Sequence, residues 1–577
     1  MVACAGLFTA CSDEMENVSG NPEDTAGNAY MTLTFTVPSA AGTRAAAGEE
    51  GDRYELALTG EYEISDANIF LFEDNLLKQV VTRTTLTAGT PSGNDQSTYT
   101  AEKIQVPTGS FKVYVVVNET TKKELTALPI GTTLATFQAQ VFAAAKTTGD
   151  YCRDKHFLMT NAFVMGNGTP TGSEGEVTIT TENTEDKPAT VTVHVERAAA
   201  KIAMTIPTNR TVEVKDGDTK IGSVLFKSYK VINTRNDAFF LKRVSASVTD
   251  FTPSIGGDET STGATAATNY VLENRFNEKT VFLGQTPDWK NENSFFQKYY
   301  SRKYNTYVAW RTLDNSGNQK LAYCLENTML QADQVDGLAT TVIFRAIYTP
   351  EASLIKGTKP ESWDGTFYRY PKGSGESIFY YTLTDLIKEI YGSMTEAQAQ
   401  GAFGLKLEMN EATVASTLEA ITQTDLYQTY SVEEYPQGYC YYTYVIRHAN
   451  NNDAEVRGVM EHVIVRNNVY QLKVNSVSGV GSVSSGTNGP DPDPDGGDMV
   501  PEDPSDPNSP LVPGPGVDEP EGGNPEIPGT VDPEGPQEPQ EPIIPLDPDT
   551  PTEQQKTFLN VTVNVLKWVV RDNGMDL

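Results

Sequence analysis

The chain reads Met31-Thr-Leu-Thr-Phe-Thr-Val37 near its N-terminus, an unbroken alternation of apolar residues and threonine. Successive side chains of a β-strand point to opposite faces, so Met31, Leu33, Phe35 and Val37 would share one face. Proline cannot donate a hydrogen bond to a β-ladder, and Pro38 is therefore expected to end the strand. The stretch predicts a strand with one buried face.

Similar short runs, rich in Tyr, Phe, Thr and Val and bounded by Gly, Asn, Asp and Pro, recur along the chain and predict further strands. The clearest candidates are 68–72, 103–106, 111–117, 189–195, 228–233, 340–348, 439–447 and 469–474. Helices are expected at 134–145, 383–391 and 396–403. We predict an all-β protein with minor helices, in which each strand contributes one face to a sandwich core.

The amino-acid composition changes at residue 489, where proline begins to recur every three or four positions beside Asp or Glu. Such a segment lacks the apolar surface needed to offset chain entropy, so 489–556 is predicted to be a disordered, extended tether. Beyond it the chain reads Thr557-Phe-Leu-Asn-Val-Thr-Val-Asn-Val-Leu-Lys-Trp-Val-Val570. One apolar face is shared by Leu559, Val561, Val563, Val565 and Val569.

An isolated strand of this kind needs a sheet, because its backbone groups and its apolar face both require partners. The strand at 31–37 presents a similar face, so the two ends of the chain could compete for one groove. If 31–37 were cut away, the C-terminal strand of another chain could fill the vacated slot. Two alternatives remain: both strands belong to their own sandwiches, or the tether lets the C-terminal strand fold back on its own body.

The segment that joins the first strand to the rest of the chain, 39–53, is small and polar and is predicted to be easily cut. It contains two arginines, Arg44 and Arg53. Cleavage between Arg44 and Ala45 fits best, because Arg44 follows the strand closely in a loop of small residues. Cleavage after Arg53 is the alternative.

Residues 1–11 are apolar and small but too few for a complete signal peptide, which indicates a truncated signal. Phe8-Thr-Ala-Cys11 resembles a bacterial lipobox and predicts lipid attachment at Cys11, followed by an acidic export tag at Ser12-Asp-Glu14. The alternative is a chance cysteine in an apolar N-terminus. No other run approaches the length of a membrane span, so attachment to the outer membrane is expected through lipid.

Composition and motifs argue against several other functions. The formal net charge of −33, roughly half of it from the tether, makes nucleic acid an unlikely partner, since phosphate binding needs clustered Lys and Arg. The four histidines form no HExxH motif, and no GxGxxG or P-loop occurs. We therefore predict neither enzymatic activity nor a cofactor.

The acidic and cysteine residues offer one candidate metal site and one candidate disulfide. A weak calcium candidate has EF-hand spacing at Asp491, Asp493, Asp495 and Glu502, but prolines interrupt it and no flanking helices are expected. Beyond Cys4 and Cys11 no CxxC pair occurs, and one disulfide at most is expected, with Cys324 and Cys440 as the candidate pair. Buried free thiols are the alternative for these two cysteines.

Several passages together resemble the fimbrillins of the type V pilus family, in the branch of minor-fimbrium major subunits from Bacteroidales. They are 111–118, Phe157-Leu-Met-Thr160, Val195-Glu-Arg-Ala-Ala-Ala-Lys-Ile202, Tyr323-Cys-Leu-Glu-Asn-Thr328, Met460-Glu-His-Val-Ile-Val-Arg-Asn-Asn-Val-Tyr-Gln-Leu-Lys-Val474 and Gly479-Val-Gly481. The similarity spans most of 25–482 and then 557–577. The long acidic tether departs from the family pattern.

The resemblance implies two transthyretin-like β-sandwich domains, export as a lipoprotein, cleavage by an Arg-specific protease and polymerisation by donor strand exchange into adhesive surface fimbriae. Partners would be other copies of the chain and related anchor and tip subunits. An alternative is a fimbrial tip protein or a monomeric surface-lipoprotein adhesin that binds a host glycan or protein. The predicted organisation is 1–11 signal, 12–44 spacer and removable strand, 45–195 first domain, 196–488 second domain, 489–556 tether and 557–577 donor strand.

Overall fold

The computed structural model of the protein describes residues 29–36, 54–56, 61, 63–88, 98–119, 125–143, 152–153, 156–162, 165–166, 169–170, 175–207, 209–245, 254–255, 270–285, 300, 310–313, 320–370, 378–386, 389, 432–448, 456–485, 499–501, 511–513, 551–552 and 559–569. Regular structure within these ranges is mostly strand, numbered β1 to β34 in chain order, and the helices are short. None of the described helices is long and apolar enough to cross a membrane. The prediction of an all-β protein with minor helices is confirmed.

The first large sheet is built from the N-terminal third of the chain. Its strands are β1 Ala29–Thr36, β3 Asp66–Glu73, β4 Leu76–Ala88, β5 Thr98–Ala101, β6 Ile104–Val106, β7 Gly109–Val117, β11 Met159–Asn161, β14 Glu176–Ile179 and β15 Ala189–Arg197. They follow the order β11-β15-β1-β5-β4-β3-β7-β14, and β6 pairs with β1. Because β11 also pairs with β7, the sheet closes on itself around an apolar core.

The second large sheet takes strands from distant parts of the chain. Its strands are β2 Tyr54–Leu56, β16 Ala199–Thr205, β17 Thr211–Asp216, β18 Thr219–Ile232, β23 Arg311–Thr312, β24 Lys320–Leu325, β25 Thr341–Pro350, β30 Tyr439–Val445, β31 Asn468–Val477 and β34 Leu559–Val569. The main order is β2-β34-β31-β17-β18-β25-β30, and β16 lies between β31 and β24. Consecutive strands β15 and β16 carry the chain from the first sheet to the second across the buried Ala198.

Short elements fill the connections between these strands. The small strands are β8 Val141–Ala143, β9 Cys152–Arg153, β10 His156–Phe157, β12 Met165–Gly166, β13 Thr169–Pro170, β19 Asp237–Phe239, β20 Arg243–Ser245, β21 Ser254–Ile255, β22 Tyr270–Val271, β26 Ile355–Lys356, β27 Phe367–Arg369, β28 Phe379–Tyr380, β29 Glu433–Tyr435, β32 Met499–Pro501 and β33 Leu511–Pro513. The α-helices described over their whole length are α1 Leu134–Gln138 and α2 Phe276–Leu283, and 3-10 turns cover Gln331–Asp333, Ala352–Leu354 and Pro436–Gly438.

The helix predicted at 134–145 is shorter in the structure. Thr133 caps α1 by accepting a hydrogen bond from the Thr136 N–H at 3.2 Å, and the helix ends at Gln138. Residues 141–143 form β8 instead, which pairs with β19. Of the helix predicted at 383–391, residues 383–386 are helical, and 396–403 lies outside the described residues.

The structure describes three short parts of the segment 489–556. Strands β32 and β33 pair with each other inside it. Near its C-terminal end, Pro551 forms a β-bridge with Val335, and the Thr552 N–H donates to the Gln334 carbonyl at 3.2 Å. These two backbone contacts hold the C-terminal end of the segment beside the 3-10 turn that ends at Asp333.

Candidate functional site: the two terminal strands

Strand β1 lies inside the first sheet and is paired along both edges. One edge runs parallel to β15, from Met31 opposite Ala189 to Thr36 opposite His194. The other edge is antiparallel to β5 and β6. The strand therefore completes the ladder between β15 and β5 and is not an appended edge strand.

The inward face of β1 is completely buried. Ala29, Met31, Leu33 and Phe35 all have 0% exposure and belong to the core of the first sheet. Burial of the three larger side chains stabilises the fold by about 5–9 kcal/mol, at about 1.5–3 kcal/mol each. Val37, the fourth predicted member of this face, lies outside the described residues. Removal of β1 would leave an apolar slot with two unpaired ladder edges.

Strand β34 lies in the second sheet of its own chain. It runs antiparallel to β31, from Leu559 opposite Val477 to Lys567 opposite Asn468. Its other edge pairs with β2, which runs parallel to it and spans only three residues. In the single chain, the C-terminal strand therefore folds back on its own body, which is one of the alternatives that the sequence left open. Strand β1 occupies its own place between β15 and β5.

The apolar face of β34 packs into the core of the second sheet. Leu559 is 5% exposed, and Val561 and Val563 are partly buried against the same core. Val565 and Val569 lie at alternate positions of the same strand, and their side chains are outside the described residues. Where it is described, this face is less completely buried than that of β1.

A buried polar cluster holds the chain between β2 and β3 at the junction of the two sheets. The Glu61 carboxylate forms a salt bridge with Lys201 Nζ at 3.1 Å and accepts a hydrogen bond from the Tyr323 hydroxyl at 2.5 Å. Arg197 Nε donates to the Glu61 carbonyl at 2.7 Å, and Arg197 Nη1 donates to Asn467 Oδ1 at 3.2 Å. Strands β15, β16, β24 and the turn before β31 therefore all contact this one residue or its partners.

Burial governs the electrostatics of this cluster. It lowers the pKa of Arg197 to about 10, an effect that the nearby Glu61 charge opposes. Arg197 and Lys201 received no role from sequence reasoning. The available signal is the presence of three charged residues, Glu196, Arg197 and Lys201, among the small and apolar residues of 195–204, since buried charges require partners.

Several predicted site residues lie outside the described residues. These are Cys11, Arg44, Ala45, Arg53, Asp491, Asp493, Asp495 and Glu502. The residue next to Arg53 is described, because β2 begins at Tyr54.

Cys324 and Cys440 are buried free thiols, so the candidate disulfide is absent from the structure. Burial raises the pKa of each thiol to about 12, which makes them unreactive. Two described histidines are also structural. His448 Nδ1 is 3.0 Å from the Tyr470 hydroxyl, and burial lowers the pKa of His462 to about 3.

Comparison with known proteins connects part of the second sheet to a family. Residues 433–508 match the family model described as major fimbrial subunit protein type IV, fimbrillin, C-terminal, a range that includes β31. The match confirms, for this part of the chain, the resemblance to fimbrillins. No curated protein sequence matches the chain.

Solved structures similar to this chain include fimbrial proteins from two organisms. A fimbrilin (fimA) from Porphyromonas gingivalis W83 is 13% identical with a TM-score of 0.35, and the alignment covers 95% of this chain and 99% of the other. The tip fimbrial protein Mfa3 from Porphyromonas gingivalis, with a C-terminal truncation, is 9% identical with a TM-score of 0.29, covering 78% and 95%. A fimbrial assembly protein from Parabacteroides distasonis ATCC 8503 is 12% identical with a TM-score of 0.24, covering 56% and 95%.

Proposed function

We propose that this chain is a cell-surface fimbrial subunit that polymerises by exchange of β34 after proteolytic removal of β1. The observation that carries the proposal is the position of β1. A strand with a fully buried face, paired on both edges, is joined to the rest of the chain through a small, polar, arginine-containing segment. A second strand of the same alternating type lies at the other end of a long tether. The fimbrillin match over 433–508 supports the same function.

In this proposal the chain is exported as a lipoprotein acylated at Cys11 and is attached to the outer membrane by that lipid. An Arg-specific protease then cuts the segment after β1. The strand leaves, and β34 of another subunit enters the slot between β15 and β5, where it restores both ladders. The protease, the membrane lipid and neighbouring subunits are the partners.

The structure favours Arg44 over Arg53 as the cleaved residue. A cut after Arg53 would make Tyr54, the first residue of β2, the new charged N-terminus within a ladder to β34. A cut after Arg44 leaves β2 continuous with the residues before it. In both cases Glu61 keeps the new N-terminal segment anchored at the sheet junction.

The test is formation of SDS-resistant ladders by purified protein after treatment with an Arg-specific protease. We expect ladders from the wild type, none from a variant lacking 557–577, and none from Arg44→Ala/Arg53→Ala, which keeps β1. N-terminal sequencing of the treated protein identifies the cut, with Ala45 expected first. Ladders that persist without 557–577 would refute strand exchange.

A second candidate function is a monomeric or tip-located surface adhesin. The observation that favours it is the intramolecular pairing of β34 with β31, which leaves the chain complete without a neighbour. If the chain is such an adhesin, the wild type and both variants should all stay monomeric in the same experiment, even though the protease cuts the wild type.

A further inference from the structure

Helix α2 carries a buried lysine whose amine contacts a carboxamide in the segment that follows β24. Lys279 Nζ lies 2.8 Å from Asn327 Oδ1 and 2.6 Å from the Thr328 carbonyl. Lys279 Nζ also lies 2.8 Å from Glu273 Oε1. Lys279 and Asn327 are 0% exposed and Glu273 is 3% exposed, so an amine, a carboxamide and a carboxylate meet away from water.

The amine is suited to act as a nucleophile. Burial lowers the pKa of Lys279 to about 8, with the neighbouring Glu273 charge opposing and the Arg235 charge adding to the effect. A desolvated lysine of this kind has an appreciable fraction of neutral amine near neutral pH.

The carboxamide is held by hydrogen bonds on both of its ends. Asn327 Oδ1 accepts from Lys279 and from the Tyr300 hydroxyl, the latter at 3.1 Å. Asn327 Nδ2 donates to the Leu338 carbonyl at 2.8 Å, the Thr340 hydroxyl at 3.0 Å and the Asn233 carbonyl at 3.2 Å. A hydroxyl donor at Oδ1 stabilises the negative charge that would develop there during attack on Cγ. The fixed orientation keeps Cγ, one bond from Oδ1, within reach of Nζ.

Glu273 is placed to carry protons. It faces Lys279 Nζ with Oε1 and Arg235 Nε with Oε2, the latter at 3.3 Å. The Arg235 contact orients the carboxylate toward Lys279, where it can accept a proton from the amine.

We propose that Lys279 and Asn327 form an intramolecular isopeptide bond in the folded protein. The Nζ–Cγ bond forms and the Cγ–Nδ2 bond breaks. Of the three protons on the lysine ammonium, one remains on the new amide nitrogen and two end on the departing nitrogen, which leaves as ammonium; Glu273 accepts the first of them from the amine. Charge is conserved, and no oxidant, reductant or co-reactant is needed.

The bond would join two segments that the fold brings together from distant positions in the chain. Lys279 belongs to α2, whereas Asn327 follows β24 and bridges Ile464. A covalent bond there closes a loop of about 48 residues and would restrict local unfolding of the α2 segment.

The decisive experiment is mass spectrometry of the full-length wild-type chain. We expect an intact mass lower than the sequence mass by about 17 Da, the mass of the ammonia lost. After trypsin digestion, fragments 276–290 and 321–345 should appear as one joined species, because acylated Lys279 is not cleaved. Separate fragments 276–279, 280–290 and 321–345 would overturn the proposal without need of any variant.

Variants then assign the roles. Lys279→Arg and Asn327→Ala should restore the full intact mass, allowing for the substitution. Glu273→Gln should lower the rate of joining, followed by intact mass over time after purification, by about 100-fold or more, and joining at the wild-type rate would overturn its role as proton carrier. Lys201 is the internal control, since it is equally buried but faces the Glu61 carboxylate, and trypsin should cut after it.

Discussion

The substitution Phe35→Ala offers a direct test of the role of β1. Phe35 is 0% exposed and lies opposite Val193 on one side and Tyr99 on the other. Truncating a buried phenylalanine to alanine costs about 3–5 kcal/mol, because the lost contacts are not recovered by collapse of the site. For a domain of this size the melting temperature of the first sheet should fall by about 6–20 °C.

The assay compares thermal unfolding of the precursor with that of the cleaved protein. An Arg44→Ala/Arg53→Ala background keeps β1 in place, and there the full loss is expected. After cleavage of the parent chain and removal of the released peptide, wild type and Phe35→Ala should unfold at the same temperature. The weakened strand should also leave more readily, so ladders of the Phe35→Ala protein should form at lower protease doses.

The matched control is Thr34→Ala, which alters the half-buried opposite face of the same strand and should change stability by less than about 1 kcal/mol. An equal loss of stability in cleaved and uncleaved Phe35→Ala protein would mean that β1 stays in the mature subunit. That result would refute the proposed slot.

Three further outcomes are expected. Glu61→Gln should destabilise the chain by about 3–5 kcal/mol in denaturant titrations, because it removes the carboxylate paired with buried Lys201; a loss under about 1 kcal/mol would contradict the anchoring role. Leu472→Cys with Val563→Cys places two thiols directly opposite on β31 and β34, so the oxidised protein should give no ladders and reduction should restore them; ladders from the oxidised form would exclude exchange of β34. Burial lowers the pKa of His462 from 6.5 in the unfolded chain to about 3 in the folded protein. Its contribution to the free energy of unfolding is therefore fully present above pH 6.5 and falls toward pH 3 by up to about 1.4 kcal/mol per pH unit. The substitution His462→Gln should remove this dependence from acid-unfolding curves.

The strands were predictable because their side chains alternate. The prediction at 31–37 corresponds to β1, and those at 111–117 and 189–195 correspond to β7 and β15. β1 and the first part of β15 have one buried face, so burial alone produces a period of two in the sequence there, whereas β7 is buried on both faces from Val113 to Val117 and reads as a continuous apolar run. The C-terminal strand was found for the same reason, since Leu559 to Val563 alternate with polar residues.

Alternation could not give the partner of each strand. The alternating valines of β34 are compatible with pairing to β31 and with pairing in the slot of β1. Only the strand register in the three-dimensional structure shows which of the two partners is used. Helix α2 and the Lys279 cluster were missed because buried charges resemble solvated ones in a sequence. Their pairing depends on Glu273 and Asn327, and Asn327 is 48 positions away in the chain.

Strand β34 can pair with β31 of its own chain or enter the slot of β1 in another subunit, and the difference between these two sites explains why cleavage would start polymerisation. Val477 lies directly opposite Leu559, so the 81 residues between them form a loop that keeps β34 close to its own β31. If the connection is the extended tether predicted from the sequence, it holds β34 at an effective concentration on the order of millimolar, which favours its own site over that of a micromolar neighbour by about 4 kcal/mol.

The slot of β1 opposes this advantage. In the slot, a strand is paired along both edges and its apolar face is completely buried. In the intramolecular site, the edge of β34 that faces β2 is paired over only three residues, and Val561 and Val563 stay partly exposed. The slot adds three paired positions on the second edge, but its first edge pairs over six positions against nine with β31, so the total number of paired positions is unchanged. Fuller burial of the two valines gives a gain of about 1–3 kcal/mol, which offsets part of the tether's advantage. While β1 occupies the slot, no such gain exists and the chain stays closed. Once β1 is removed, this gain opposes the tether's advantage, and a higher subunit concentration favours exchange further, so ladder formation by cleaved subunits should rise steeply with protein concentration. Uncleaved subunits should remain monomeric at every concentration.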